Sequence, residues 1–249
     1  VTFRGLAVRR SQKEAPMTRT LAAFSTIALL LTIPAHADDP DSEIDPTTGY
    51  IETVSQHWNG NDNDIRLTTD RTPLEPLSVD VCDGSTQDIG PRVAITSSSA
   101  LWVVWTRDAS IDQIHARGRE SLGFWGDILL ASYANENSRN PEVLVDGAAV
   151  RIVYEIAGTS TQSVAVVSLE DDPDPLTART IVASTSSMGT LDTRIHREAG
   201  HLWITWVDDD DVAWSELASG SWASPSYEAI GGGGAAAARS EIRELVLSE

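Results

Sequence analysis

The side chains of this chain that could do chemistry are mostly carboxylates, and they come in clusters. Asp208, Asp209, Asp210 and Asp211 form one run, and Asn59-Gly60-Asn61-Asp62-Asn63-Asp64 is a second oxygen-rich stretch. Oxygen-rich turns suit calcium. Neither run has the spacing of an EF-hand loop, and consecutive residues of a strand turn point in different directions. Solvated acidic hairpins are therefore expected, and no metal or other cofactor is assigned. Glu155, Asp108 and Asp112 are further candidates. Glycoside hydrolysis needs two carboxylates roughly 5–10 Å apart, which here requires Glu155 to meet Asp108, Asp112 or Asp209. His196 and His201 flank a turn, but two histidines do not define a zinc site. Cys82, the one cysteine, lies in an alternating apolar run and reads as a buried strand residue. No nucleophile elbow, phosphate loop or CxxC pair occurs, so no residue receives a catalytic role.

The elements that must position these residues recur. A short strand is followed by an almost wholly apolar one ending in an aromatic, then a polar turn, a third strand and a fourth. The copies include PRVAI with LWVVW (91–105), PEVLV with VRIVY (141–154) and TRIH with LWITW (193–206). The aromatics that anchor the second strands are Trp58, Trp105, Tyr154 and Trp206, at spacings of 47, 49 and 52 residues. Several short strands per unit at such a period mark propeller blades. The expectation is an all-β chain, a β-propeller of four-stranded antiparallel blades spanning residues 49–230. Strands apolar on both faces fit blades that stack face to face. The anchors Trp58, Trp105 and Trp206 are expected in the core. The first blade shows no clear innermost strand, because residues 38–48 are polar. A Gly/Ala spacer follows at 231–238. The segment 239–249 then either closes a four-bladed ring, begins a new blade of a six-bladed one, or forms a helix over Ser240–Ser248.

Charge and the N-terminus bound the partners. Met17-Thr18-Arg19, an apolar run at 21–33 and Ala35-His36-Ala37 have the form of a signal peptide cleaved after Ala37. The apolar run is too short to span a membrane. The chain opens on Val1, which leaves residues 1–16 open to being read as upstream translation. From Asp38 onward 13 basic and 36 acidic side chains remain, a net of −23, with no lysine. Such a surface repels phosphate backbones, so nucleic acid is a poor partner. A secreted or periplasmic monomer is expected. With one cysteine it has no internal disulfide and relies on its core.

PRVAI with LWVVW, PEVLV with VRIVYE, and LWITWVDDDDVAWSE with GSWASP resemble the sialidase-like, BNR-repeat β-propellers of secreted bacterial proteins. The family's Asp-box is not intact; SELASGSW (215–222) keeps Ser215, Gly220 and Trp222. The resemblance implies a ring of four-stranded sheets with ligand bound at one end of a central channel. Sialidases clamp a carboxylate with three arginines and use a Tyr–Glu nucleophilic pair and an acidic donor. The matching candidates are Arg92, Arg107 and Arg194, Tyr154 beside Glu155, and Asp112, although Pro91-Arg92-Val93 departs from the family's Arg-Ile-Pro element. In such a ring the turns between second and third strands share a face with the links between blades. The expected binding residues there are Arg107, Asp108, Asp112, Glu155, Asp208, Asp209 and Asp210. The function expected is binding of an extracellular carbohydrate or protein without catalysis. The alternatives are an exo-sialidase-like glycoside hydrolase and a truncated propeller with no independent function.

Overall fold

Alternation of Val, Ile, Leu and Trp with small or polar residues sets the strands, and the turn residues between them set the hairpins. The computed structural model describes residues 40–70, 78–82, 85–121, 123–147, 149–169, 179–187, 189–209 and 211–229. The signal-peptide segment 17–37, the stretch 1–16, the spacer 231–238, the terminal segment 239–249 and Asp210 lie outside these residues. Blade 1 comprises β1 (Asp41–Ile44), β2 (Ile51–Trp58), β3 (Asn63–Thr69) and β4 (Ser78–Asp80). Blade 2 comprises β5 (Gln87–Ile95), β6 (Leu101–Asp108), β7 (Gln113–Arg119) and β8 (Leu129–Leu130). Blade 3 comprises β9 (Ser138–Asp146), β10 (Ala149–Ala157), β11 (Gln162–Ser168) and β12 (Thr180–Thr185). Blade 4 comprises β13 (Arg194–Glu198), β14 (His201–Asp208) and β15 (Asp211–Ala218), whose outer edge pairs with both β16 (Ser221–Trp222) and β17 (Ser226–Ala229). Every pairing is antiparallel and the four sheets follow chain order, giving the propeller architecture.

Three apolar layers hold the blades in series. Val54, Ile65, Leu67 and Val81 of blade 1 pack on Val93, Leu101, Val103 and Trp105 of blade 2. Val104, Ile114 and Ala116 of blade 2 pack on Ile152, Tyr154 and Val167 of blade 3. Val153, Val164 and Val166 of blade 3 pack on Leu202, Ile204 and Trp206 of blade 4. Successive side chains of a strand point to opposite faces. Val103 and Val104 therefore serve two different layers, which explains why the second strands are apolar throughout. The tight hairpins use residues that tolerate positive φ. Gly147 (66°) turns β9 into β10, and Gly200 (84°) turns β13 into β14, with Ala199 beside it held at 49° by the two-residue turn.

Two expectations about blade 1 are corrected. It does have an innermost strand: β1 forms within the polar stretch, held by backbone pairing of Asp41 with Val54 and Ile44 with Ile51 rather than by apolar burial. Trp58 is not core; it is 58% exposed at the end of β2. The register explains the error. Arg92 pairs with Val104 and Arg194 with Thr205, each one residue before a buried tryptophan. Asp41 pairs with Val54, so the residue matching those tryptophans is Ser55. Among the described residues no helix is long and apolar enough to cross a membrane.

Candidate functional site

The innermost strands each carry one charged residue at the same register. Asp41, Arg92, Glu142 and Arg194 pair with Val54, Val104, Val153 and Thr205, so they occupy matching sites on blades 1 to 4. Their signs alternate around the axis. Glu142 Oε1 accepts from Arg92 Nε at 3.0 Å and from Arg194 Nη1 at 2.5 Å. Asp41 Oδ2 accepts from the Val93 backbone N–H at 2.8 Å. Burial raises the Asp41 carboxyl above the usual carboxylate range, while that amide and the nearby Arg92 work against the rise and Glu142 adds to it. The side chains of Arg92, Glu142 and Arg194 keep 25%, 16% and 20% of their surface exposed, so the row is accessible without being fully solvated.

A local backbone device recurs before Arg92, Glu142 and Arg194. Gly90 (φ 59°), Asn140 (52°) and Asp192 (49°) each adopt the left-handed conformation two residues before the charged one. Gly, Asn and Asp are the residues that visit this region most readily. The ladder registers slip there in blades 2 and 3, between Ile89 and Arg92 and between Val153 and Glu155. Such bulges re-aim the side chains that follow. A sequence signal existed: Pro40-Asp41, Pro91-Arg92, Pro141-Glu142 and Thr193-Arg194 recur at 51, 50 and 52 residues. Arg92 and Arg194 appeared among the clamp candidates, but Asp41 and Glu142 were missed.

The turn-face residues expected from sequence are only partly brought together. The starts of β5 and β9 do lie beside the preceding blade's turn: Asn63 N–H donates to Gln87 Oε1, and Asp112 N–H to Asn137 Oδ1. Asp108 and Asp112 share a hydrogen bond within one turn, and burial raises the Asp112 carboxyl, reinforced by the charge of Asp108. Glu155 is wholly buried. It faces Arg139 at 3.5 Å, the Asn140 side chain and the backbone amides of Leu191 and Thr193, and burial raises its carboxyl. It works as a joint between blades 3 and 4. Arg107 is committed to Asp88: its Nε and Nη2 donate to that carboxylate at 2.9 and 3.1 Å. Asp208 accepts from the Thr185 hydroxyl. Asp209 sits at the tip of the blade 4 hairpin with φ 55°. The arrangement therefore does not place Arg107, Glu155 and Asp209 around one ligand.

The other sequence candidates are settled by packing. Tyr154 is fully buried, and desolvation pushes its hydroxyl up to about 12, the wrong direction for a nucleophile. His196 pairs in register with Trp203 and is buried, while His201 contacts Glu216 at 2.5 Å, so the two histidines do not face each other. Asn59, Asp62 and Asp64 form a hydrogen-bonded network in which the asparagine is exposed and the two aspartates are not. Asn59 Nδ2 donates to Asp62 Oδ1 and Asp64 Oδ2, both at 2.6 Å, and both aspartates are buried. Trp58, next to Asn59 at the end of β2, and Ile111, in the blade 2 turn, are exposed, at 58% and 38%.

No protein-family model and no curated protein matches the chain. Solved structures do share its fold. A thermostable family-43 glycoside hydrolase matches with a TM-score of 0.52 at 14% identity, over 74% of this chain and 72% of its own. An ulvan lyase of polysaccharide lyase family 25 matches with a TM-score of 0.51 at 10% identity, over 75% of this chain and 57% of its own. The hydrolase fold is a five-bladed β-propeller, against the four blades among the described residues here. The likeness establishes the propeller; it does not single out the sialidase type.

Proposed function

We propose that the chain is an exported carbohydrate-binding propeller whose ligand lies on the face that carries the blade links. The observation that carries this reading is Trp58. It is a large aromatic more than half exposed, at the same end of the blades where the inner strands begin. An exposed indole offers an apolar body with a polar edge, suited to the face of a sugar ring. Ile111 extends the apolar surface on the next blade, and the Asp108–Asp112 pair supplies hydroxyl partners. The Asp41–Arg92–Glu142–Arg194 row continues a polar lining along the axis. Its charges already satisfy one another, which favours neutral hydroxyls over a clamp for a carboxylate. Arg92 and Arg194 are committed to Glu142 and Arg107 to Asp88, so a three-arginine sialidase site is not our reading. Kinship of fold with carbohydrate-active propellers supports the ligand class.

A thermal-shift screen of the full chain against neutral, uronic and sialylated glycans tests this. Neutral glycans should raise the unfolding midpoint and polymeric substrates should stay intact. A catalytic alternative rests on the row itself: Asp41 and Glu142 are two carboxylates at matching register on the inner strands of blades 1 and 3, and burial raises the Asp41 carboxyl. Glycoside hydrolysis uses a pair of carboxylates flanking the scissile bond. Release of reducing ends that Asp41→Asn abolishes would establish that alternative. Detection of the mature protein outside the cytoplasm, with Asp38 at its N-terminus, tests export.

A further inference from the structure

Blades 1 and 2 enclose a second polar cluster that the binding face does not use. Asp64 lies on β3, Cys82 just beyond β4, and Asp88 on β5. All three are buried, and a ligand atom from each lies within 4.8 Å of the others. Asp62, 3% exposed, adds a third buried carboxylate. Against these stands the Arg107 guanidinium, bound to both Asp88 oxygens, with Trp105 Nε1 donating to Asp88 Oδ1 at 3.0 Å. Buried carboxylates in excess of their cations are costly unless something neutralises them. Two atoms mark where that charge is missing. Asp64, 5% exposed, gives Oδ2 to Asn59, but its Oδ1 has no hydrogen-bond partner among the described residues. The same holds for Asp62 Oδ2.

We propose that Asp64, Cys82 and Asp88 bind one divalent cation of the zinc class and thereby clip blade 1 to blade 2. A thiolate with two carboxylates favours zinc or cobalt over calcium, which takes oxygen ligands. The surroundings are those of a ligand shell. Ile65 N–H donates to Cys82 Sγ at 3.2 Å, and Arg107 and Trp105 fix the Asp88 carboxylate, to which the Cys82 thiol is also hydrogen-bonded, so loss of the thiol proton frees a lone pair on Asp88. Asn59 orients Asp64 in the same way. On binding, the Cys82 proton leaves to solvent and the cation replaces it. The site's role is structural: it joins β3 and the end of blade 1 to the first strand of blade 2.

The test is titration of the metal-free full chain with cobalt(II), followed by zinc competition. The expected result is one equivalent bound, with a thiolate-to-cobalt charge-transfer absorption that zinc removes. Zinc at a hundredfold excess over its Kd should raise the unfolding midpoint by roughly 5–10 °C. Cys82→Ser should abolish the charge-transfer band, and Asp64→Asn should weaken affinity at least tenfold. Cobalt titration of unmodified protein needs no variant to fold. Absence of the band in folded wild-type protein would overturn the proposal. So would stabilisation by calcium rather than zinc, or a zinc shift that Cys82→Ser leaves unchanged.

Discussion

Arg92 Nε of blade 2 donates to Glu142 Oε1 of blade 3 at 3.0 Å. Arg194 of blade 4 reaches the same oxygen, so one carboxylate ties three inner strands together. Removing it should leave two guanidiniums facing each other with little water to screen them. Glu142→Ala is expected to cost about 1–3 kcal/mol, measured by chemical denaturation. Arg92→Met in the Glu142→Ala background should cost less than it does alone, because the partner is already gone. Additive losses would show that the row is not coupled.

Trp58 and Trp105 occupy corresponding places in the sequence pattern but opposite environments. Trp105→Ala should destabilise by about 3–5 kcal/mol, since it empties a fully buried site and removes a donor from Asp88. Trp58→Ala should change stability by no more than about 0.5 kcal/mol, as expected of an exposed position. Comparison of unfolding midpoints in denaturant checks both.

Acid should act through two groups with opposite signs. His115 stacks on Trp105 at 5.9 Å between ring centroids, and burial lowers its pKa to about 4 from 6.5. Between those values the unfolded chain binds the extra proton, so this contribution to stability is lost as pH falls through the window. His115→Gln should flatten the slope there. Asp41 is raised, chiefly by burial, so the folded state holds its proton to higher pH. Its contribution is fully present below the ordinary carboxylate pKa and is lost as pH rises through the raised value. Asp41→Asn should therefore remove a slope of the opposite sign, seen in unfolding free energy against pH.

The blade 3 turn offers a steric check. A Cβ on Gly158 would lie 2.4 Å from the Thr161 backbone oxygen, which accepts the Gly158 N–H. Gly158→Ala must open that turn and should cost about 1–3 kcal/mol. Gly147 faces open space and its φ of 66° is the constraint there, so Gly147→Asn should be tolerated in a thermal melt.

Strand order and the blade repeat were legible because apolar runs such as LWVVW and LWITW have a period that only stacked sheets can bury. Spacing alone could not fix the register of blade 1. An aromatic three residues beyond the true site gave nearly the same period, and Ser55 carries no hydrophobic mark. The inner charges were hidden for a related reason: Asp41, Arg92, Glu142 and Arg194 differ in identity, and what makes them equivalent is the strand register. The turn carboxylates were visible, but whether Glu155 faces solvent or a neighbouring blade depends on packing that no local pattern encodes.

The account rests on Trp58 as the platform of a glycan site. The most direct measurement is calorimetric titration of wild type and Trp58→Ala with the neutral glycan that best stabilises the full chain. The account predicts one site in the wild type, an affinity loss of roughly tenfold or more in Trp58→Ala, and an unchanged melt. Equal affinity in both proteins would contradict it.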